Sequence, residues 1–170
     1  QNFSSSELIQ ATDYIKSDAT VKSWRDQYKA DLTHCLVDGT GGAGMAGWGA
    51  VLAAVPFPPP AYTKDWCWSA TWHTPNADYT FAHEIGHNLG LQHEKAAGKS
   101  GLFSYSNGSY FDLSNGEGWH SAMAYAKSGY TKWANVFCGP NVKFQGTTTG
   151  DSSHDCAKTV TQSIPHVKVY

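Results

Sequence analysis

No apolar run in this 170-residue sequence approaches the roughly 20 residues that a membrane-spanning helix requires. The nearest, Trp48 to Pro60, is short and ends in prolines, so no membrane partner is expected. A basic run is missing too: the formal net charge is −2, which leaves a nucleic-acid binder without its electrostatic footprint. Only four cysteines occur, Cys35, Cys67, Cys138 and Cys156, with no C-x-x-C pair, which disfavours a thiolate zinc site. Their even number fits disulfides in an exported, extracellular protein. Of the three possible pairings, Cys35–Cys67 with Cys138–Cys156 keeps each bridge inside one half of the chain. No signal-peptide pattern is visible, and Gln1 reads as the start of a processed chain. Repeats and a convincing linker are also missing, so one domain over residues 1–170 is expected. Hydrophobic residues at 41% lie well above a disordered composition and suffice for a core.

Against these absences stands the run His83-Glu84-Ile85-Gly86-His87-Asn88-Leu89-Gly90-Leu91-Gln92-His93. It fills every fixed position of the pattern H-E-x-x-H-x-x-G-x-x-H. Residues four apart share one face of a helix, so His83 and His87 aim at one ion. Glu84 projects about 100° further round, given 3.6 residues per turn, and reaches a water on that ion without ligating it. At Gly90 the helix must stop and the chain reverse, which a left-handed glycine permits, and the reversal returns His93 as a third ligand. Three histidines leave the fourth zinc position open, the mark of a catalytic site rather than a structural one. A lone H-E-x-x-H arises by chance in soluble helices. Gly90 and His93 add two further identities, and Ser121-Ala122-Met123-Ala124-Tyr125 places a methionine in a small-residue turn downstream.

The remaining pattern is α+β. Ser4 to Ser6 ahead of Glu7 starts a helix with Leu8, Ala11, Tyr14 and Ile15 in a stripe, and Val21 to Ala30 reads as a second, with Val21, Trp24 and Tyr28 on one side. Asp31 to Val37 reads as a strand, and Met45 to Val55 is apolar until Pro56 to Pro60 ends it. Trp66 to Trp72 alternates aromatic and small polar residues, as a half-buried strand would. Thr74 is a credible N-cap and Pro75 a credible first residue for the histidine helix, which runs to about Leu89. Its Phe81, Ile85 and Leu89 would bury the face away from the ion. Gly98 to Gly118 reads as a surface loop near the cleft, and Asp155 to Ser163 as a closing helix pinned by Cys156. Asn2-Phe3-Ser4 and Asn107-Gly108-Ser109 are sequons, open to glycans in a eukaryotic host.

Taken together, the histidine motif and the methionine turn resemble the metzincin zinc endopeptidases. Trp24-Arg25-Asp26-Gln27-Tyr28-Lys29-Ala30-Asp31-Leu32, Gly44-Met45-Ala46, Cys138-Gly139-Pro140-Asn141-Val142 and Phe144-Gln145-Gly146 resemble the reprolysin-like branch. Within it they are similar to the bacterial peptidyl-Asp metallopeptidases. The resemblance spans about Trp24 to Cys156. It departs at Glu94, where reprolysin-like domains usually carry aspartate and astacins glutamate. It also departs ahead of the segment that matches from Trp24 onward, where the family usually has two further strands and a helix; a reduced sheet, replacement by C-terminal segments and a processed fragment all stay open. The resemblance implies a metzincin-like zincin. A twisted mixed sheet and the zinc helix form an upper subdomain over about 1–90, above the cleft. An irregular lower subdomain with a C-terminal helix covers about 91–170. Gly44, Met45 and Ala46 would lie on the edge strand that holds substrate by strand addition, against the plainer reading of a buried strand.

The resemblance further implies a secreted, monomeric zinc-dependent endopeptidase with a protein or peptide substrate and a propeptide in its precursor. One Zn2+ ion is expected. Asp151 and Asp155 are candidates for Ca2+, against the simpler reading that they cap the C-terminal loop. Glu84 would act as general base, Met123 as a hydrophobic floor under the imidazoles, and Tyr125 as oxyanion partner or as a buried structural tyrosine. Glu94 would anchor the methionine turn or a processed N-terminus. The pocket for the residue after the scissile bond is expected between the zinc helix and Ala124 to Trp133. There Lys127 or Lys132 would suit an aspartate, while Tyr125, Tyr130 and Trp133 would suit an apolar residue. His34, His73, His154 and His166 lack ligand spacing, and His120 is a candidate substrate contact. Two other functions stay open: a zinc amide hydrolase of cell-wall cross-links, and a zinc-fold binding or toxin module. Against the last stands Glu84, since a scaffold needs the histidines and not the base.

Overall fold

The computed structural model of the chain describes residues 5–38, 44–47, 67–73, 77–98 and 101–167. Two helices lead, α1 (Ser5–Ser17) and α2 (Ala19–Tyr28). Between them Asp18 accepts the amides of Thr20 and Val21, each at 2.9 Å, satisfying two donors that the helix start would otherwise orphan. α1 buries Leu8, Thr12 and Ile15 and exposes Tyr14. In α2 the apolar side is not the buried one: Trp24 and Tyr28 are 55% and 74% exposed. Arg25 is buried instead, with its guanidinium 5.1 Å from the Trp68 ring, because a long stem and a planar head pack on an indole face.

Strands β1 (Thr33–Asp38), β2 (Gly44–Gly47) and β3 (Trp68–His73) form a mixed sheet in the order β1-β3-β2. β3 runs parallel to β1 and antiparallel to β2. Its alternating pattern suggested one solvated face, yet Trp68 to Trp72 are all buried. The apolar side, Ala70 and Trp72, packs with Leu8 of α1 and with Cys35 and Val37 of β1. The polar side, Ser69 and Thr71, is satisfied by one imidazole. His34 meets Ser69 Oγ at 2.7 Å through Nδ1 and Thr71 Oγ1 at 3.0 Å through Nε2. The most of the apolar run Met45 to Val55 lies outside the described residues.

This register corrects the Cys35–Cys67 pairing. Cys35 stands opposite Ala70, three residues beyond Cys67, roughly 10 Å along the strand. An odd offset also puts the two side chains on opposite faces of the sheet, and a disulfide spans no such distance. They join different clusters, Cys35 under α1 and Cys67 with Leu89 and Val167.

Helix α3 (Ala77–Asn88) carries the histidine motif; Thr74 and Pro75 lie outside the described residues. Ile85 and Leu89 turn inward as expected, joining Leu32, Cys67, Leu102, Val160 and Val167. Phe81 does not: it is 43% exposed and meets the His34 ring edge-on at 4.6 Å. The apolar cover comes from Leu102 and the C-terminal helix, and these reach only the second half of α3. The helix ends at Gly90 (φ 88°), where the Leu91 amide donates to Gly86 and the Gly90 amide to His87, the paired bonds of a Schellman turn.

Beyond Gly90 come a short 3-10 turn (Lys95–Ala97) and a second sheet of β4 (Tyr110–Asp112), β5 (Gly118–His120) and β6 (Lys132–Trp133), ordered β4-β5-β6. A hairpin of β7 (Lys143–Phe144) and β8 (Thr147–Thr148) turns on Gln145 and Gly146, both at positive φ. Helix α4 (Cys156–Val167) closes the chain, with Asp155 Oδ1 accepting the Lys158 amide at its start. Gly98 to Gly118 is no surface loop: Ser106 to Ser109 are buried, and β4 begins within it. Its small residues allow the backbone to wedge between the His93 loop and the methionine turn, where a Cβ on Gly108 would strike the Met123–Ala124 peptide.

Candidate metal centre

The Nε2 atoms of His83, His87 and His93 converge to 3.1, 3.1 and 3.0 Å from one another. The other ring nitrogens show why they point inward. His83 Nδ1 lies 2.7 Å from the Ala122 carbonyl and His87 Nδ1 lies 2.9 Å from the Leu91 carbonyl, so each Nδ1 carries the proton and each Nε2 presents a lone pair. Lone pairs this close repel unless a cation sits between them. A point about 2.0–2.1 Å from each nitrogen, the usual zinc distance, exists just outside their plane, so the residues fit the ion. Burial lowers the pKa of His83, which keeps that imidazole neutral and able to ligate. Among the described residues this is the one group of three or more metal-capable side chains that converges.

The methionine turn forms the underside. Ser121 accepts the Ala124 amide, and Met123 is fully buried with Leu91, Cys138 and Cys156. A Cβ on Gly86 would overlap the Met123 sulfur and press on Phe137, so a larger residue at this helical position requires those side chains to shift. Glu94 fixes the exit of the turn by accepting the Tyr125 amide at 2.9 Å, and Tyr110 donates its hydroxyl to the Tyr125 carbonyl at 2.9 Å. Of the two anchoring roles read for Glu94, the geometry carries the first.

Asn107, Ala122 and Gly86 are the functional positions that sequence reasoning missed. Asn107 is 1% exposed and donates Nδ2 to the His93 carbonyl at 2.7 Å, so it positions the third ligand. That burial also removes Asn107-Gly108-Ser109 as a glycan site. A glycine inside a helix was the one available signal for Gly86.

Glu84 is buried beside the centre. Tyr125 is not a buried structural tyrosine: it is 52% exposed, with its ring 4.0 Å from that of His93 and 6.1 Å from that of His83. Partial burial and the charges of Glu84 and Glu94 raise its pKa, so the phenol keeps its proton at neutral pH. Lys132 is paired with Glu117. Lys127 lies over the rings of Tyr110 (3.5 Å) and Tyr130 (4.9 Å). His120 is buried beneath the centre, 5.4 Å from the Trp133 ring. Asp151 accepts the Ser153 amide and meets His154, while Asp155 caps α4. Side chains of Gly44, Met45 and Ala46 lie outside the described residues, and among those described their strand β2 stands at the edge of its sheet.

A model of metallo-peptidase family M12 matches residues 1–137. A peptidyl-Asp metalloendopeptidase of Stenotrophomonas maltophilia is 31% identical over 83 residues, 48% of this chain and 20% of that protein. Another, from Xanthomonas campestris pv. campestris, is 27% identical over 135 residues, 79% of this chain and 29% of that protein. The chain thus spans under a third of the length of these relatives. A solved chain from the "Structure of a chaperone-substrate complex" aligns with TM-score 0.58 at 20% identity, over 96% of this chain and 25% of that one, a likeness of fold.

Proposed function

The chain belongs to metallo-peptidase family M12, and from that premise we propose that it is a secreted zinc-dependent endopeptidase of the metzincin kind, with Glu84 as its general base. The observation that carries this reading is the convergence of three Nε2 lone pairs within 3.0–3.1 Å, backed by carbonyls that fix two of the tautomers. Zinc held there supplies Lewis-acid chemistry, polarising a peptide carbonyl and acidifying water towards neutral pH.

The chain's own residues do the rest. Glu84 takes the proton of the attacking water and returns it to the leaving amine. Tyr125, protonated and half-exposed over the histidine rings, donates to the oxygen that turns negative as the carbonyl becomes tetrahedral. Met123 and Gly86 hold the helix and the turn at close packing, so the ligands keep their aim. The outer edge of β2, Gly44 to Gly47, which pairs with no other strand among the described residues, takes an extended substrate by strand addition, and its small residues suit close approach.

The relatives are named for peptidyl-Asp cleavage, and an aspartate preference is proposed here on the same ground. Of the two candidate cations Lys132 is paired with Glu117, so Lys127, which lies over the rings of Tyr110 and Tyr130, is the residue to test. An exported protein would also oxidise its thiols, and Cys138–Cys156, free here and buried in one cluster, is the disulfide proposed.

The test is a digest of denatured proteins with the new termini mapped by mass spectrometry, and Glu84→Gln as the blank. New termini beginning with Asp support the full reading, and apolar ones leave an endopeptidase without that preference. Identical maps from wild type and Glu84→Gln, both fully loaded with zinc, would sink it.

A further inference from the structure

Tyr79 lies one helical turn before His83 on α3, and four-residue spacing puts both side chains on one face. Its ring stacks on that of Trp133, with centroids 5.3 Å apart and planes 24° from parallel. Trp133 in turn stands edge-on to His83 at 6.2 Å and against His120 at 5.4 Å. The second sheet sets this arrangement. His120 pairs directly with Trp133 on one side and with Tyr110 on the other, and direct partners project to the same face. Tyr110, His120 and Trp133 therefore make one row beneath the histidine cluster. Tyr79 ties the Trp133 end of that row to α3.

On the endopeptidase reading, the side chain that follows the cut bond enters between α3 and the segment leading to Trp133. In this protein the Tyr79–Trp133 stack bridges that interval. We propose that the stack closes the specificity pocket one helical turn from His83, making Tyr79 and Trp133 the residues that restrict the position after the scissile bond to short side chains. One turn is about 5.4 Å, room for alanine, serine or aspartate and too little for a phenyl ring. Both halves are fixed by backbone structure, Tyr79 by the helix and Trp133 by its pairing with β5, so the stack does not yield as a loop tip would. Size selection of this kind is independent of any cation: it admits aspartate for its length and leaves charge discrimination to other groups.

The inference rests on the proposed activity and is tested apart from it. Peptides alike except for Ala, Ser, Asp, Leu or Phe after the cut bond are compared by kcat/KM, using zinc-loaded wild type, Tyr79→Ala, Trp133→Ala and Tyr79→Phe. Wild type favours the short residues. Both alanine variants shift the ratio of Leu and Phe to Ala cleavage upward by about 10-fold or more, while Tyr79→Phe, which keeps the ring, leaves it in place. A purely structural role would lower all rates together and leave the ratio unchanged. An unchanged ratio in Tyr79→Ala, the helix-surface variant, overturns the inference even if Trp133→Ala fails to fold. So does wild type that cuts before Phe as readily as before Ala. Wild type that holds zinc yet cuts none of the peptides instead removes the endopeptidase reading beneath it.

Discussion

The sulfur of Met123 occupies the space that a side chain on Gly86 would need, although 37 positions separate the two in sequence. The contact joins the helix that carries two of the histidines to the turn whose Ala122 carbonyl orients His83. Replacing glycine by alanine inside a helix normally stabilises it by about 0.5–1 kcal/mol, so the sign of the effect here is diagnostic.

Gly86→Ala is expected to destabilise the protein by about 1–3 kcal/mol, the range for overpacking a filled core. Urea unfolding of Gly86→Ala, Met123→Ala and the double variant checks it. The double variant should recover part of the loss, because the shorter side chain vacates the space. Strict additivity would mean that the two residues are not in contact.

Metal and stability are linked through the same centre. Chelation should lower the melting temperature and abolish hydrolysis, and stoichiometric Zn2+ should restore both, since ligands binding only the folded state stabilise it by mass action. His87→Ala should bind less than one zinc per chain, while Glu84→Gln should bind a full equivalent. Measured zinc content distinguishes the two, and loss of zinc in Glu84→Gln would make Glu84 a ligand.

Cys138 and Cys156 are both buried and belong to one cluster with Leu91 and Met123, which joins the segment after β6 to the start of α4. Protein recovered from an oxidising compartment should give one cross-linked peptide holding both residues in a non-reducing digest. Cys35 and Cys67 should appear as separate peptides, since the parallel register holds them on opposite faces. A Cys35–Cys67 cross-link would contradict that register.

His34 should make the fold acid-sensitive. Burial lowers its pKa to about 4 in the folded state, against 6.5 for the free side chain. A histidine held neutral contributes stability that is fully present above pH 6.5 and is lost as pH falls from 6.5 to about 4, because the unfolded chain takes the proton first. Denaturant midpoints should therefore fall across that window. In His34→Asn the midpoint starts lower and falls less, and equal slopes in both proteins would clear His34.

The ligand set was legible in the sequence because it is local. Eleven residues contain all three histidines and Glu84, and helix periodicity with a left-handed Gly90 suffices to bring the histidines together. The α+β class and most elements were legible for the same reason. Exposed Phe81 and Trp24, and doubly buried β3, were not. Which face of an element meets water depends on neighbours from distant parts of the chain, such as Leu102 and α4 beneath α3. Gly98 to Gly118 misled in the opposite direction: its small polar residues resemble a solvated loop, whereas Ser106 to Ser109 form the packed joint between ligand loop and methionine turn.

By itself, then, the sequence determined which atoms meet the metal, since a helix and one glycine turn encode their approach within a few turns of chain. Tertiary structure alone decided what those atoms lean on: Ala122 behind His83, Asn107 behind His93, Glu94 beneath Tyr125, and Tyr79 against Trp133. Each of these contacts closes a loop of 14 to 54 residues, and no local periodicity specifies where such a loop returns.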